Sequence, residues 1–325
     1  VVEMEERFLL DTEKYRRALE RAVEEYSLLP SRPPSHAGTA YPAGREEAEE
    51  FVKKILGEGE RGAVPENVAA LVVPHIDLRV GGPAYGVAYS AVRNMDVDSV
   101  LLLCTGHYLG EDLFCLTRKD FETPFGVVKT DREAVDFLWR GKGIAPSDFP
   151  FRFEHSVAFQ VLFLSYVFRR KDFAVVPVLC GNFSRFLDVA SRPSQIPAVA
   201  LFLTRLRKIL SSPRKRWLVV AGVDLSHVGP KFGHRDPAKF MEYQFREHDR
   251  VLLDALERGD PEGFFGEVKK VGDRYNVCGF SSLALLLELF EGFRGKTLHY
   301  DVWYDTPTLS AVSFAASILH RGREG

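Results

Sequence analysis

The stretch WLVVAGVDLSH, residues 217–227, indicates how this chain folds. An apolar run that begins at Trp217 is followed at once by a polar turn that carries Asp224 and His227. Short apolar runs rich in Val and Leu are typical of strands buried on both faces, as in parallel sheets. We therefore predict a buried strand over 217–223 whose end presents an aspartate and a histidine.

Two further apolar runs end in the same way. LVVPHID spans residues 71–77 and closes on His75, and VLLLCTGH spans residues 100–107 and closes on His107. In a parallel sheet the carboxyl ends of the strands lie at one edge, where ligands bind. If the three runs are neighbours, their histidines and Asp224 converge in one crevice, as in a metal site or a catalytic site.

The composition excludes several classes of protein. The 325 residues carry a formal net charge of −2 and contain no basic stripe that could follow a phosphate backbone, so we expect no nucleic-acid partner. The sequence contains no apolar run long enough to span a membrane, and the stretch VVEMEERFLL lacks the basic segment followed by an apolar segment that is typical of a signal peptide. The four cysteines show no C-x-x-C spacing, which is typical of reduced thiols. We expect a cytoplasmic protein without disulfides.

Helical and strand patterns alternate along most of the chain. A proline-rich stretch, SLLPSRPPSHAG, follows a helical pattern over 8–27, so we predict a helical extension over residues 1–35 and a main domain over 36–325. The alternation predicts an α/β fold whose mostly parallel or mixed central sheet is covered on both faces. The predicted strands are 69–74, 98–104, 173–179 and 217–223, with a hairpin near 112–130. The predicted helices are 45–56, 81–95 starting at two glycines, 131–139, 155–168, 193–210, 237–257 and one following Cys278.

The spacing of the candidates supports a shared cavity but leaves a structural interpretation open. Asp224 and His227 are three residues apart, so the carboxylate can accept the ring N–H of the histidine, or both can face one cavity. The alternative is that Asp224 caps a helix. His75 or His107 alone could be a core histidine, whereas the two together favour a site.

The starts of two helices add candidates. FEHSVAFQVLF places Glu154, His155 and Ser156 at the start of an apolar helix, where capping accounts for the first or the third but not for the histidine. Cys278 precedes a helix in NVCGFSSLALLLELF, where the helix dipole favours a thiolate; the alternative is a buried small apolar residue. With the two strand-end histidines, Cys278 forms a His₂Cys set that suits zinc, iron or copper better than magnesium or calcium.

The other histidines are expected to face solvent. They lie in predicted loops or on charged helices and are His36, His234, His248, His299 and His320. The sequence contains no Gly-x-Gly-x-x-Gly, P-loop, Gly-x-Ser-x-Gly or His-Glu-x-x-His pattern, which argues against nucleotide cofactors, triad hydrolases and zincins.

Nine short motifs span about residues 37–318 and are AGTAYPAG, VVPHIDLRVGGPAYGVAYSAV, CTGHYLG, TPFGVVKTDREAV, EHSVAFQVLFL, VVPVLCGN, VDLSHVG, VCGFSSLALLLEL and VSFAAS. Taken in order, they resemble the motifs of the MEMO proteins, whose prokaryotic members are called AmmeMemoRadiSam system protein B. The family's fold resembles that of class III extradiol dioxygenases, which are non-haem iron enzymes. The resemblance implies a LigB-like three-layer α/β/α fold.

The resemblance also implies a set of site residues. It places a metal on His75, His107 and Cys278, with Asp224 and His227 lining the same pocket and His155 nearby. The extradiol enzymes hold iron with two histidines and a carboxylate. The cysteine that replaces the carboxylate here is softer and more easily oxidised. We expect the metal to be iron or copper, with zinc as an alternative, and we expect catalytic roles for Asp224, His155 and His227.

Three positions depart from the family pattern. Ala158 replaces the glutamate of EHSxE, so the helix lacks a second carboxylate. Ser282 replaces a proline that often follows the cysteine motif. Asp77, in PHID, adds an acidic group within reach of the pocket.

Three hypotheses of function follow. The first is a metal-dependent oxidoreductase that acts on a small or peptide-like substrate, with His155 or His227 moving protons. The second is a non-catalytic protein that binds a peptide or a partner, or sequesters a redox metal, in a vestigial dioxygenase pocket. The third is a zinc hydrolase, which neither a motif nor a general-base glutamate supports. The resemblance points to a radical-SAM protein and an AMMECR1-type protein as functional associates.

Overall fold

The computed structural model describes residues 2–58 and 67–321. Residue 1 of the predicted extension, and residues 59–66 and 322–325 of the predicted main domain, lie outside these ranges. The helices are α1 (Val2–Glu6), α2 (Glu13–Ser27), α3 (Arg45–Glu58), α4 (Leu78–Val92), α5 (Arg132–Trp139), α6 (His155–Val167), α7 (Pro197–Leu210), α8 (Glu242–Arg258), α9 (Pro261–Val271) and α10 (Phe280–Leu289). The strands are β1 (Ser31–Arg32), β2 (Val68–Val73), β3 (Ser99–Thr105), β4 (Phe114–Leu116), β5 (Asp120–Thr123), β6 (Gly126–Thr130), β7 (Ala174–Cys180), β8 (Trp217–Gly222), β9 (His227–Val228), β10 (Arg294–Asp305) and β11 (Ser310–His320). Within the described ranges, every helix is too short or too polar to cross a bilayer.

The strands form one mixed sheet in the order β1-β5-β6-β7-β3-β8-β2-β11-β10, with β4 paired to β7 and β9 to β11. At its centre β7, β3, β8 and β2 are parallel neighbours. Strands β11 and β10 continue the sheet antiparallel. The predicted parallel arrangement of the three apolar runs is therefore confirmed. Strands β2, β3 and β8 run in the same direction, so their last residues, Val73, Thr105 and Gly222, lie at the same edge of the sheet.

Helices cover both faces of the sheet, which gives the predicted three-layer α/β/α fold. Alternate side chains of each central strand enter different cores: in β2, Leu71 and Val73 enter one core, and Ala70 and Val72 the other. Helices α3, α4 and α6 pack in the first core, and α5, α7, α8, α9 and α10 in the second. Complete burial of a Val or Leu side chain contributes about 1.5–3 kcal/mol. The apolar runs therefore stabilise both interfaces at once.

The predicted helix over 8–27 is wrong at its start, because α2 begins at Glu13. Thr12 is extended, and its hydroxyl accepts a hydrogen bond from the Tyr15 N–H at 3.4 Å, which caps the helix. Phe8 has a φ of +58°, a left-handed conformation that ends α1 and separates the two helices.

The helix predicted over 81–95 begins earlier, at Leu78. Asp77 caps it, since its carboxylate accepts the Arg79 N–H at 2.8 Å. Gly81 therefore lies inside α4, where a Cβ would stand 2.7 Å from the Ile76 side chain. The glycine allows close packing and does not start the helix.

Three elements near the carboxyl end were not predicted: α9, β10 and β11. Ser and Ala interrupt the apolar run SAVSFAASILH, although β11 is buried along nearly its whole length. Edge strand β10 is largely solvent-accessible and polar. Neither sequence pattern is typical of a strand. Packing against neighbouring strands, rather than local sequence, causes both segments to form strands. The predicted hairpin near 112–130 corresponds to β5 and β6, whereas β4 pairs with β7.

Candidate metal centre

The residues that the sequence singles out lie together at the carboxyl edge of the parallel strands. His75 follows β2, His107 follows β3, and Asp224 and His227 follow β8. Cys278 reaches the same place from the loop that precedes α10. All of them line one cavity.

His75 is fixed by a backbone carbonyl. Its Nδ1–H donates to the Gly222 carbonyl at 3.0 Å, so Nε2 carries the free lone pair. Nε2 lies 3.3 Å from the Sγ atom of Cys278. Burial, reinforced by the nearby His107, lowers the pKa of His75 to about 3. The imidazole is therefore neutral at physiological pH, as a metal ligand must be.

His107 is fixed by a carboxylate. Its backbone N–H and its Nδ1–H both donate to Glu154, each at 2.8 Å, so Nε2 again carries the free lone pair. Glu154 is fully buried at the start of α6 and also accepts the Ser156 N–H at 3.1 Å. Burial alone would raise the pKa of Glu154, but the hydrogen bonds from His107 and the electrostatic interaction with His107 and His155 outweigh it and lower the pKa. The sequence indicated Glu154 only as a cap, yet its carboxylate also orients a candidate ligand.

The loop that carries Cys278 contains left-handed residues. Asp273 and Asn276 have φ values of +52° and +48°, which Asp and Asn tolerate better than most residues. The Asn276 side-chain amide donates to the carbonyls of His227 and Phe232, both at 3.2 Å. These contacts tie the loop before α10 to the segment that follows β8.

Backbone hydrogen bonds join the same two segments close to the thiol. The Cys278 N–H donates to the Leu225 carbonyl at 3.3 Å, and the Gly279 N–H donates to the Asp224 carbonyl at 3.0 Å. A Cβ on Gly279 would stand 2.6 Å from that Asp224 oxygen, so only glycine permits this approach. Burial raises the pKa of Cys278 well above its ordinary value, so the thiol is protonated until a metal displaces its proton.

The donor set of His75, His107 and Cys278 fits a metal ion. One donor atom from each of the three lies within 4.8 Å of the others, close enough to share one ion. Both imidazoles already give Nδ1–H to an oxygen, the arrangement by which proteins orient histidine ligands. His107, Glu154 and His155 form a second group at the same spacing. Its carboxylate, however, already accepts three N–H groups, so the His₂Cys group fits an ion better.

Asp224 and His227 flank the donor set. One carboxylate oxygen of Asp224 accepts the N–H groups of His75 and Ile76, at 3.0 and 3.2 Å, and the other lies 3.6 Å from His75 Nε2. Asp224 therefore does not cap a helix. Burial raises its pKa to about 6. His227 donates its Nδ1–H to the Leu225 carbonyl at 3.0 Å, and burial lowers its pKa.

His155 completes a group of three rings. It stacks on His107 with a centroid separation of 4.7 Å and meets His75 edge-on at 5.1 Å. Burial, together with the neighbouring His75 and His107, lowers the pKa of His155 to about 3.

A cavity of about 800 Å³ opens in front of this group. Phe159, Phe232 and Val312 contribute apolar wall, and Lys231 contributes a cation. Asp77 also lines it, although its carboxylate caps α4. Ligand pockets usually have volumes of about 300–1,000 Å³, so a small organic molecule or a short peptide segment fits here.

Three of the histidines that we expect to face solvent do not: His248 is buried, His36 is partly buried, and His299 is partly buried with an inaccessible Nε2 atom. His248 is only 3% exposed, and its Nδ1 lies 3.1 Å from a carboxylate oxygen of Glu267. His36 is partly buried and lines the cavity, with its ring 6.2 Å from that of His155. The local patterns did not indicate this, because other parts of the fold enclose these residues.

Comparison with known proteins assigns the chain to a family. Residues 32–318 match the model of the Memo-like proteins. A MEMO1 family protein of Aquifex aeolicus is 30% identical over 322 residues, which cover 98% of this chain and 80% of the relative. MEMO1 family proteins of Thermus thermophilus and Aeropyrum pernix are 29% and 30% identical, over 97% and 83% of this chain and 90% and 92% of their own lengths. The chain belongs to the Memo-like family.

Proposed function

We propose that this protein is a metal-dependent oxidoreductase that binds iron or copper through His75, His107 and Cys278 and acts on a small or peptide-like substrate. One observation carries the proposal: two oriented imidazoles and a thiol meet at the base of a cavity of about 800 Å³. Imidazole and thiolate suit iron, copper and zinc. Three protein ligands leave a position for substrate, whereas structural zinc sites usually have four.

The surrounding residues supply orientation and proton transfer. A bound iron or copper ion would provide redox and Lewis-acid chemistry at this position. Gly222 and Glu154 hold the two ligand rings by their Nδ1–H groups. The Nε2 atom of His227 carries a lone pair that can accept a proton from a substrate, because Nδ1–H is engaged by a carbonyl. Asp224, with a pKa near 6, can hold a proton close to neutral pH.

Metal titration tests the donor set. The full chain, purified without a histidine tag or chelator, is titrated anaerobically with Fe(II) and with Cu(I). We expect one ion per chain, and at least about tenfold weaker binding in His107→Ala and in Cys278→Ser. Cys180→Ser is the matched control, because Cys180 is a buried thiol that lines the same cavity but lies outside the donor set. Wild-type protein that binds neither ion would contradict the proposal.

A second measurement separates catalysis from storage. Nitric oxide is added to the Fe(II)-loaded protein, and the electron paramagnetic resonance spectrum is recorded. An adduct would indicate an open position and justify a search for oxygen-dependent turnover. Bound metal without an adduct would instead favour a protein that sequesters metal.

A further inference from the structure

The segment 31–41 brings one more histidine to the cavity, and we propose that His36 binds substrate as a neutral hydrogen-bond donor through its Nε2–H. The inference rests on the proposed function for the identity of the cavity as a substrate site. It adds a recognition element: an oxygen acceptor on the substrate, at a position away from the metal donors.

The segment is anchored by a buried arginine. Strand β1 pairs in parallel with β5, and the Arg32 side chain enters the interior, where the residue is only 2% exposed. Its guanidinium donates to the carbonyls of Phe151 at 2.6 Å and Glu154 at 2.9 Å, and to the Ser35 hydroxyl at 3.1 Å. Arg32 thus links the backbone of Glu154, which orients His107, to Ser35, which precedes His36.

The Ser35 hydroxyl determines which ring nitrogen of His36 carries the proton. This oxygen accepts from Arg32, and it lies 3.1 Å from His36 Nδ1. Among the residues described, Nδ1 is the one acceptor within hydrogen-bond distance of the hydroxyl proton. The hydroxyl therefore donates to Nδ1, and the ring proton lies on Nε2. Burial, together with the charge of Arg32, lowers the pKa of His36, which favours the neutral ring.

His36 has the opposite tautomer to the two histidines of the donor set and to His227. His75, His107 and His227 each give Nδ1–H to an oxygen and present an Nε2 lone pair. His36 presents an N–H from the wall beside Phe159, whose ring centroid is 5.6 Å away. Within residues 2–58 and 67–321, no protein atom hydrogen-bonds to its Nε2. The donor is therefore available to a carboxylate or carbonyl oxygen in the cavity.

The tautomer is tested by nuclear magnetic resonance on metal-free full chain labelled with ¹⁵N-histidine. His36→Gln assigns the signal, and the same spectrum contains two references. His234 accepts the Gly229 N–H at Nδ1 and donates Nε2–H to the Arg274 carbonyl, whereas His227 has the other tautomer. We expect His36 to match His234 at pH 7 and Ser35→Ala to give a mixture of tautomers. A His36 that is protonated at Nδ1, or doubly protonated, would overturn the proposal.

Two probes of equal size then test binding and separate the possible acceptors. Formate and formamide are titrated separately to about 0.3 M at constant ionic strength, because a single hydrogen bond gives weak affinity. We expect saturable shifts at His36 Nε2 and none at His234 Nε2, which is already bonded. Tighter formate binding would identify a carboxylate substrate, and equal binding a neutral carbonyl. No shift at His36 with either probe would overturn the proposal, while leaving metal binding untouched, since these measurements use metal-free protein.

Discussion

Asp224 and Glu154 are buried carboxylates beside the two candidate histidine ligands, yet the protein shifts their pKa values in opposite directions. Glu154 accepts two N–H groups of His107 and one of Ser156, and the nearby imidazoles favour its charge. Asp224 accepts two backbone N–H groups on a single oxygen, so the effect of burial dominates and raises its pKa to about 6. The donors that surround a carboxylate, rather than its depth, determine its charge.

The difference assigns separate tasks to the two groups. Glu154 stays ionised and orients the His107 ring by accepting its Nδ1–H, as carboxylates commonly do for metal-bound histidines. Asp224 changes its charge near neutral pH and lies 3.6 Å from His75 Nε2, so it is suited to hold a proton. Variants at the two positions should therefore change different properties: the stability of the metal-free protein for Asp224, and metal affinity for Glu154.

Asp224→Asn should produce the largest effect, on the stability of the metal-free protein. The wild-type pKa is about 6 when folded against 3.8 ordinarily, so the buried charge costs about 3 kcal/mol above pH 6. The cost falls as the pH drops through 6 and vanishes below 3.8, because the carboxyl is then neutral in both states. We expect the variant to be more stable than wild type by about that amount at pH 8, and the gap to close towards pH 4.

Denaturant unfolding of both proteins between pH 4 and pH 8 measures this gap. The charge of Asp224 raises the pKa of His227, so the difference also includes the change in the titration of that histidine. A difference that does not change with pH would show that Asp224 has an ordinary pKa, and the contrast with Glu154 would be lost.

Glu154→Gln should act mainly on metal affinity. The amide keeps the shape of the side chain but loses the charge that holds the His107 ring, and loss of such a partner typically weakens binding by about 10–100-fold. Titration with Fe(II) or Cu(I) measures it, with Glu133→Gln on the exposed surface of α5 as the control. Equal weakening by Asp224→Asn would mean that the two carboxylates share one role.

The sequence revealed the strand ends of this site more readily than its supports. The apolar runs of β2, β3 and β8 are buried on both faces and long enough to recognise, so the sequence alone predicts that His75, His107 and Asp224 lie at one edge of the sheet. Cys278 approaches from a distant loop, and only its combination with two histidines made it a candidate.

The supports were missed because their local patterns are ambiguous. Glu154 was interpreted as a helix cap, and it is one, but the same carboxylate also accepts both N–H groups of His107. His36 depends on Arg32 and on pairing between β1 and β5, which are about 90 residues apart, as the Ser31 to Asp120 register shows. A short stretch of sequence cannot indicate a contact between residues so far apart along the chain.

The third variant, Asp249→Asn, should have the smallest effect. It tests which contacts hold the loop 223–226, which carries Asp224. The Asp249 carboxylate on α8 accepts the Ser226 hydroxyl at 2.6 Å and the Tyr300 hydroxyl at 2.9 Å, and it is fully buried. Replacing one acceptor oxygen by an NH₂ group leaves one buried hydroxyl without its acceptor, which costs about 1–3 kcal/mol. Removal of the buried charge, which burial disfavours since it raises the pKa of Asp249, offsets part of this cost, so we expect the free energy of unfolding to fall by about 1 kcal/mol. Asp254→Asn on the same helix is the control.

Asp254 forms an exposed pair with Arg250, so its loss should change stability by less than about 0.5 kcal/mol. Equal effects of the two variants would mean that the backbone bonds of Leu225 and Ser226 to Ser313 suffice to hold the loop. A larger effect of Asp249→Asn, with metal affinity unchanged, would place the support of Asp224 in α8. Glu154 is supported independently, through Arg32 and the amino-terminal segment, so the two carboxylates would then differ in what holds them as well as in charge.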